Sequence, residues 1–234
     1  MVGAAAVQIC TDREVGPQPR PGVPRGIERL DARGIQCTVC ARNILECPME
    51  IAESEWAALV GNSSTHSHAN RGIKVHAQVE KSGIGVFRFV LQGVISRLRI
   101  PPAKSTERAD GLWKHTCFEA FIKAPGAAGY YELNFAPSRQ WAVYRFHAYR
   151  EAMSSPDIGR PPEISVRHFV DRVEVDAAVR LHDLIGLQGA PSLMVALSAV
   201  VEEEDGRISY WALKHAPGKP DFHWPGGFVL ELER

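Results

Sequence analysis

The sequence lacks a surplus of either charge. Lys plus Arg number 27 and Asp plus Glu number 27, so the formal net charge is zero. A nucleic-acid binder carries a basic total or a basic stripe, and neither is present, which excludes that class of partner. No run reaches the roughly 18–20 consecutive apolar residues that span a bilayer as a helix, so no membrane is expected as a partner. Cysteine is scarce and odd in number, at five, which does not suit a disulfide-stapled secreted fold. Residues 1–10 are apolar but have no basic leader, and Asp12, Arg13 and Glu14 follow at once. That is a poor secretory signal, and the expected location is cytoplasmic. Gly-x-Gly-x-x-Gly after a strand, a Walker loop, a Gly-x-Ser-x-Gly elbow and His-Glu-x-x-His are all absent.

What is present is a chain of 234 residues, 45% hydrophobic and 23% charged, close to the averages of globular domains. Residues 16–26, GPQPRPGVPRG, break regular structure with four prolines and three glycines. Ile51, Ala52, Trp56, Ala57 and Val60 fall near a 3.6-residue spacing, which predicts a helix over 48–60, stopped by Gly61-Asn62-Ser63-Ser64. Residues 1–65 therefore read as an extension, disordered or partly helical.

From residue 66 the period changes to two. Ile73, Val75, Ala77 and Val79 alternate with Lys74, His76, Gln78 and Glu80, the pattern of a half-buried strand. Similar runs occur at 86–91, 94–100, 116–123, 130–135, 140–149, 163–170, 172–179, 193–201, 207–213 and 227–232. Turn chemistry separates them, most clearly at Glu204-Asp205-Gly206, where Asp-Gly supplies the positive φ of a hairpin tip. One short helix is expected near 182–187. Many short strands with hairpin-length links predict an all-β fold, an antiparallel, jelly-roll-like β-sandwich over 66–234.

Cys37-Thr-Val-Cys40 with Cys47 is half of a zinc knuckle; the second ligand pair is missing. Cys117, in a strand, reads as a buried structural thiol. Four aromatic and polar clusters carry more information. They run from Arg108 to Phe121, Tyr130 to Ser138, Trp141 to Arg150, and Ser209 through His215 to Trp224. Glu132 and Asn134 share one strand face and project side by side, a ready pair for a hydroxyl-rich ligand. Trp113, Trp141 and Trp211 offer apolar platforms for a sugar ring, and His115, Arg150, His215, Asp221 and His223 offer hydrogen bonds. Glu119 or Glu132 with a histidine could instead serve as an acid–base pair. Two histidines, or one with Met153, could hold a haem iron.

The motifs LWKHTCFEAFI, YYELNFAPSRQWAVYRFHAYR and SYWALKHAPGKPDFHW, in that order, resemble the DOMON-like proteins related to family 9 carbohydrate-binding modules. The resemblance covers roughly residues 66–234 and leaves residues 1–65 without a counterpart. It implies a β-sandwich with a ligand groove on one face and no catalytic step of its own. It implies a sugar or sugar derivative as the small polar ligand, with haem b as the alternative; if the motif residues serve packing alone, a protein partner would carry the function.

Overall fold

The computed structural model describes residues 51–234. Cys10, Cys37, Cys40, Cys47 and the 16–26 stretch lie outside the described residues. Eleven strands form one hydrogen-bonded sheet that folds over on itself. They are β1 (Ala57–Gly61), β2 (Asn70–Val79), β3 (Ile84–Gly93), β4 (Cys117–Lys123), β5 (Tyr130–Phe135), β6 (Trp141–Phe146), β7 (Glu163–His168), β8 (Arg172–Arg180), β9 (Ser192–Glu202), β10 (Ile208–Ala212) and β11 (Leu230–Glu233). The order is β6-β5-β4-β9-β10-β1-β2-β3-β8-β7, with β11 also on β9. Every strand pairing is antiparallel.

Two layers arise because alternate residues point to opposite faces. Phe87, Phe89 and Leu91 of β3 and Val173, Val175, Ala177 and Val179 of β8 line one inner face. Phe118, Ala120 and Ile122 of β4, Leu133 and Phe135 of β5, and Val195, Leu197 and Ala199 of β9 line the other. The rings interlock across the gap: Phe89 lies 5.0 Å from Phe118 and Phe87 lies 6.0 Å from Phe135. Each such side chain taken from water contributes about 1.5–3 kcal/mol. This antiparallel β-sandwich is the predicted fold.

β1 joins the layers. Its first half pairs with β2 through Ala57↔Val75 and Leu59↔Ile73, and its end pairs with β10 through Val60↔Ala212 and Gly61↔Trp211. The helix predicted over 48–60 is thereby corrected in its described part. Glu53–Glu55 is one 3-10 turn, and Ala57–Gly61 is strand. The sheet thus begins ahead of residue 66, because β1 finds ladder partners on both sides that local spacing cannot reveal.

The strand predicted at 94–100 is a 3-10 turn, Ile95–Arg97, with a lone bridge from Leu98 to Glu203. Gly93 ends β3 by lying against the Ala69 carbonyl, where an added Cβ would sit 2.3 Å from the oxygen. The expected helix near 182–187 is also a single 3-10 turn, Leu181–Asp183. The run at 227–232 opens with another, Pro225–Gly227, before β11. Among the described residues no helix is long and apolar enough to cross a membrane.

Candidate functional site

The outer face of the β6-β5-β4-β9-β10 layer is not a wet face. Burial runs unbroken along β5 and through Cys117–Ile122 of β4, so both faces are covered. Phe121, Tyr130, Tyr144 and Phe146 form a second apolar cluster there with Ala142, Ala196 and Phe228, and Leu112, Met194 and Phe222 pack against it. Tyr130 stacks on Phe146 at 4.9 Å, and His223 meets the edges of Phe121, Tyr130 and Phe146 at 5.1, 5.8 and 5.0 Å.

A polar track crosses this cluster from the surface inwards. At the rim Arg150 Nη2 donates to Asp221 Oδ1 at 2.7 Å, and the Tyr149 hydroxyl donates to Asp221 Oδ2 at 2.6 Å. The backbone amide of His223 also donates to Asp221, at 3.1 Å. Burial pushes the Asp221 carboxyl up, but the Tyr149 and Arg150 hydrogen bonds outweigh it and hold the group below its usual value. Arg150 has φ of 56°, a left-handed conformation that costs a non-glycine residue strain. In that conformation its amide reaches the Tyr130 hydroxyl at 3.1 Å while its guanidinium reaches Asp221.

The Tyr130 hydroxyl, which accepts from the Arg150 amide, also hydrogen-bonds His223 Nδ1 at 2.8 Å. On the other side of the ring, His223 Nε2 lies 3.7 Å from Glu132 Oε2. Burial, then the nearby Arg150 charge, depresses the His223 pKa to about 4 against the opposing pull of Asp221, so the ring is neutral. Glu132 Oε1 accepts from Asn134 Nδ2 at 2.8 Å. Side-chain exposure falls along the track from 51% at Arg150 to 19% at Asp221, 14% at His223 and 7% at Glu132.

Strand register continues the track into a floor. Glu119 stands directly opposite Asn134 on one side and Ser198 on the other. Directly opposed residues share a face with Cβ atoms about 5 Å apart. Glu119, Glu132, Asn134 and Ser198 are all buried, and Cys117 beside them is a fully buried thiol, as expected. Burial is the main cause raising the proton affinities of Glu119 and Glu132, with Glu132 adding its charge to Glu119. The Ser198 hydroxyl eases that rise, yet neither Glu119 Oε1 nor Ser198 Oγ completes a hydrogen bond of ordinary geometry.

Five predicted residues, Glu132, Asn134, Arg150, Asp221 and His223, therefore meet in one network. The others stand apart. His115 binds Glu202 at 2.7 Å, beside the 2.6 Å ion pair of Arg99 with the same carboxylate. His215 binds the Val60 carbonyl at 2.8 Å and lines a shallow cleft of about 470 Å³ at the ends of β1 and β10. The indoles do not form the single platform expected of them. Trp141 is buried in the inner core, Trp211 packs against that core with its Nε1 on Ser209, and Trp113 is 49% exposed. Strand parity is the reason, since Trp141 and Trp211 fall on the inward phase. Met153, the candidate haem ligand, is 62% exposed, and His215 and His223 are each held by separate partners, so no axial pair is assembled from these residues.

Sequence reasoning missed Tyr149 and Tyr130 as site residues, although both lie in the quoted clusters. It also missed Asp110, which accepts from the Tyr144 hydroxyl at 2.7 Å and from Arg108. Burial, then this bond to Asp110, pushes the Tyr144 hydroxyl up to about 12.

No protein-family model and no curated sequence matches the chain. Solved structures do. A candidate carbohydrate-binding protein from Bacteroides uniformis aligns with a TM-score of 0.58 at 12% identity, over 76% of this chain and 85% of that one. A family 9 carbohydrate-binding module from Caldicellulosiruptor kristjanssonii in complex with cellotriose gives 0.46 at 13%, over 76% and 81%. The glucose complex of such a module from the same organism gives 0.42 at 12%, over 75% and 83%. At these identities the likeness is one of fold.

Proposed function

We propose that the protein is a non-catalytic module, a DOMON-like relative of family 9 carbohydrate-binding modules, that holds a carbohydrate or sugar derivative on the outer face of the β6-β5-β4-β9-β10 layer. The observation that carries this reading is the convergence of Tyr149, Arg150 and Asp221 at the rim with Tyr130, His223 and Glu132 behind them. A sugar presents hydroxyls that donate and accept, and flat C–H faces that lie on rings. The rim supplies a carboxylate, a guanidinium and the half-exposed Tyr149 ring within one hydrogen-bonded group. The fold shared with the Bacteroides uniformis protein, itself a candidate carbohydrate binder, supports the same reading. Binding without chemistry is favoured because the carboxyls with raised proton affinity lie covered, whereas the accessible ones are already paired.

Titration calorimetry against a panel of neutral mono- and oligosaccharides tests this. The expected dissociation constant lies between about 1 mM and 1 μM. Asp221→Ala removes the acceptor for both rim donors and should weaken binding about tenfold. Absence of heat with every sugar, from protein whose circular dichroism is that of a folded β-sandwich, overturns the reading.

A further inference from the structure

At one end of the sandwich lies a recess of about 250 Å³. The β4–β5 loop, the start of β5, the end of β6 and the 185–187 turn ahead of β9 enclose it. None of Tyr149, Arg150, Asp221, His223 or Glu132 lines it, so it is separate from the rim and its track. Ile185, Gly186 and His147 on its border are exposed, and the recess is open to water. Its lining holds two basic side chains, Arg145 and His147, and no acidic one.

Arg145 is held in place and left unused. It shares the inward phase of β6 with Val143 and stands in register with Tyr131 of β5. Its guanidinium lies 5.9 Å from the centre of the Tyr131 ring. The Tyr131 hydroxyl donates to the Ile185 carbonyl at 2.9 Å. One tyrosine thus supports the cation and fastens the facing wall. On the other side of β6, Arg145 and Ser154 exchange two backbone hydrogen bonds of 2.9 Å. Among the described residues the Arg145 guanidinium makes no ion pair and no hydrogen bond, and none of its nitrogens is sealed from solvent. Arg99, Arg150, Arg167 and Arg172, by contrast, each hold a carboxylate. Arg145 therefore offers five N–H donors in a planar fork to whatever enters the recess.

We infer that this recess is a binding site for a small organic oxyanion, a carboxylate or a phosphate monoester, seated on the Arg145 fork with His147 at the border. The fork matches two oxygens of either group through parallel N–H···O bonds. A neutral, hydroxylated guest would take single donors and leave the charge of Arg145 unanswered. The volume lies just under the roughly 300–1,000 Å³ of drug-sized pockets, which suits a small molecule and not a polymer. The inference stands apart from the carbohydrate reading of the outer face.

The test is titration calorimetry at constant ionic strength with three ligands of one carbon skeleton: glycerol 3-phosphate, glycerate and glycerol. At least one of the two anions should bind with a dissociation constant of about 1 mM or below, and at least about tenfold more tightly than glycerol. Which anion binds assigns the group. Arg145→Gln should weaken that binding at least about tenfold, and Arg145→Lys, which keeps the charge but loses the fork, should restore only part of it. Amide chemical shifts of the natural protein locate the ligand even where the variants fail to fold, and should move most at Gly129, His147 and Gly186. Anions that bind no more tightly than glycerol, shifts centred elsewhere, or affinity unchanged in folded Arg145→Gln overturn the inference. Neutral sugars can still bind at the rim in each of those cases, so the carbohydrate reading is judged by its own titration.

Discussion

His223 sits where three rings, a tyrosine hydroxyl and a carboxylate meet, and its neutrality has a cost that depends on pH. The folded chain holds the imidazole at about 4, against an ordinary value of 6.5. Between those values the unfolded chain binds a proton that the folded chain refuses. The contribution to stability is thus complete above pH 6.5 and is lost as pH falls from 6.5 towards about 4. Glu119 and Glu132 act with the opposite sign, because their raised affinities favour the folded state at low pH and weaken it as pH rises. As pH falls from 7 to 4, His223→Gln should gain melting temperature relative to the natural protein, because it lacks the ring that refuses the proton. Parallel curves for the two proteins would show that the ring does not carry the effect. The network around His223 was half legible in the sequence. Alternation puts Glu132 and Asn134 side by side, since they lie two residues apart in one strand. Asp221 and Arg150 come from loops, and nothing local says that they meet. The indoles misled because Trp141 and Trp211 look alike in a cluster whichever face they occupy.

Individual strands were legible wherever the apolar period of two ran between turn residues. β2 and β3, or β4 and β5, need only their own alternation and the glycine between them. β1 was not, because five residues fit a helical spacing as well as a strand, and its partner β10 lies about 150 residues away. The 94–100 run failed differently. Val94, Leu98 and Ile100 keep a period of two on the phase opposite to Phe87, Phe89 and Leu91, yet Gly93 has already brought the chain against Ala69, and the ladder stops. Gly93→Ala tests this contact. A methyl group 2.3 Å from the Ala69 carbonyl oxygen must push two backbones apart. Urea unfolding should show a loss of about 2–3 kcal/mol, at the upper end for overpacking. A loss below about 0.5 kcal/mol would mean that the chain end moves freely there.

At the scale of the whole molecule, Leu59 is the inward-facing buried residue of the strand that belongs to both layers. Leu59→Ala should cost about 2–4 kcal/mol from the emptied core position. Amide hydrogen exchange should accelerate in β2 and in β10 together, because one strand is common to their ladders. Faster exchange in β2 alone would place the join between the layers elsewhere.

That shared strand also decides which strand edges the sheet leaves open. Among the described residues the folded ribbon runs from β6 to β7, with β11 added off that path on β9. Arg108 and Ser154 already bridge to β6, at Trp141 and Arg145. β7 is one margin of that ribbon, and its outward Glu163 and Arg167 put charge where a foreign strand would dock. Joining the layers through β1 spares the sheet two further open edges, and charge guards the margin at β7.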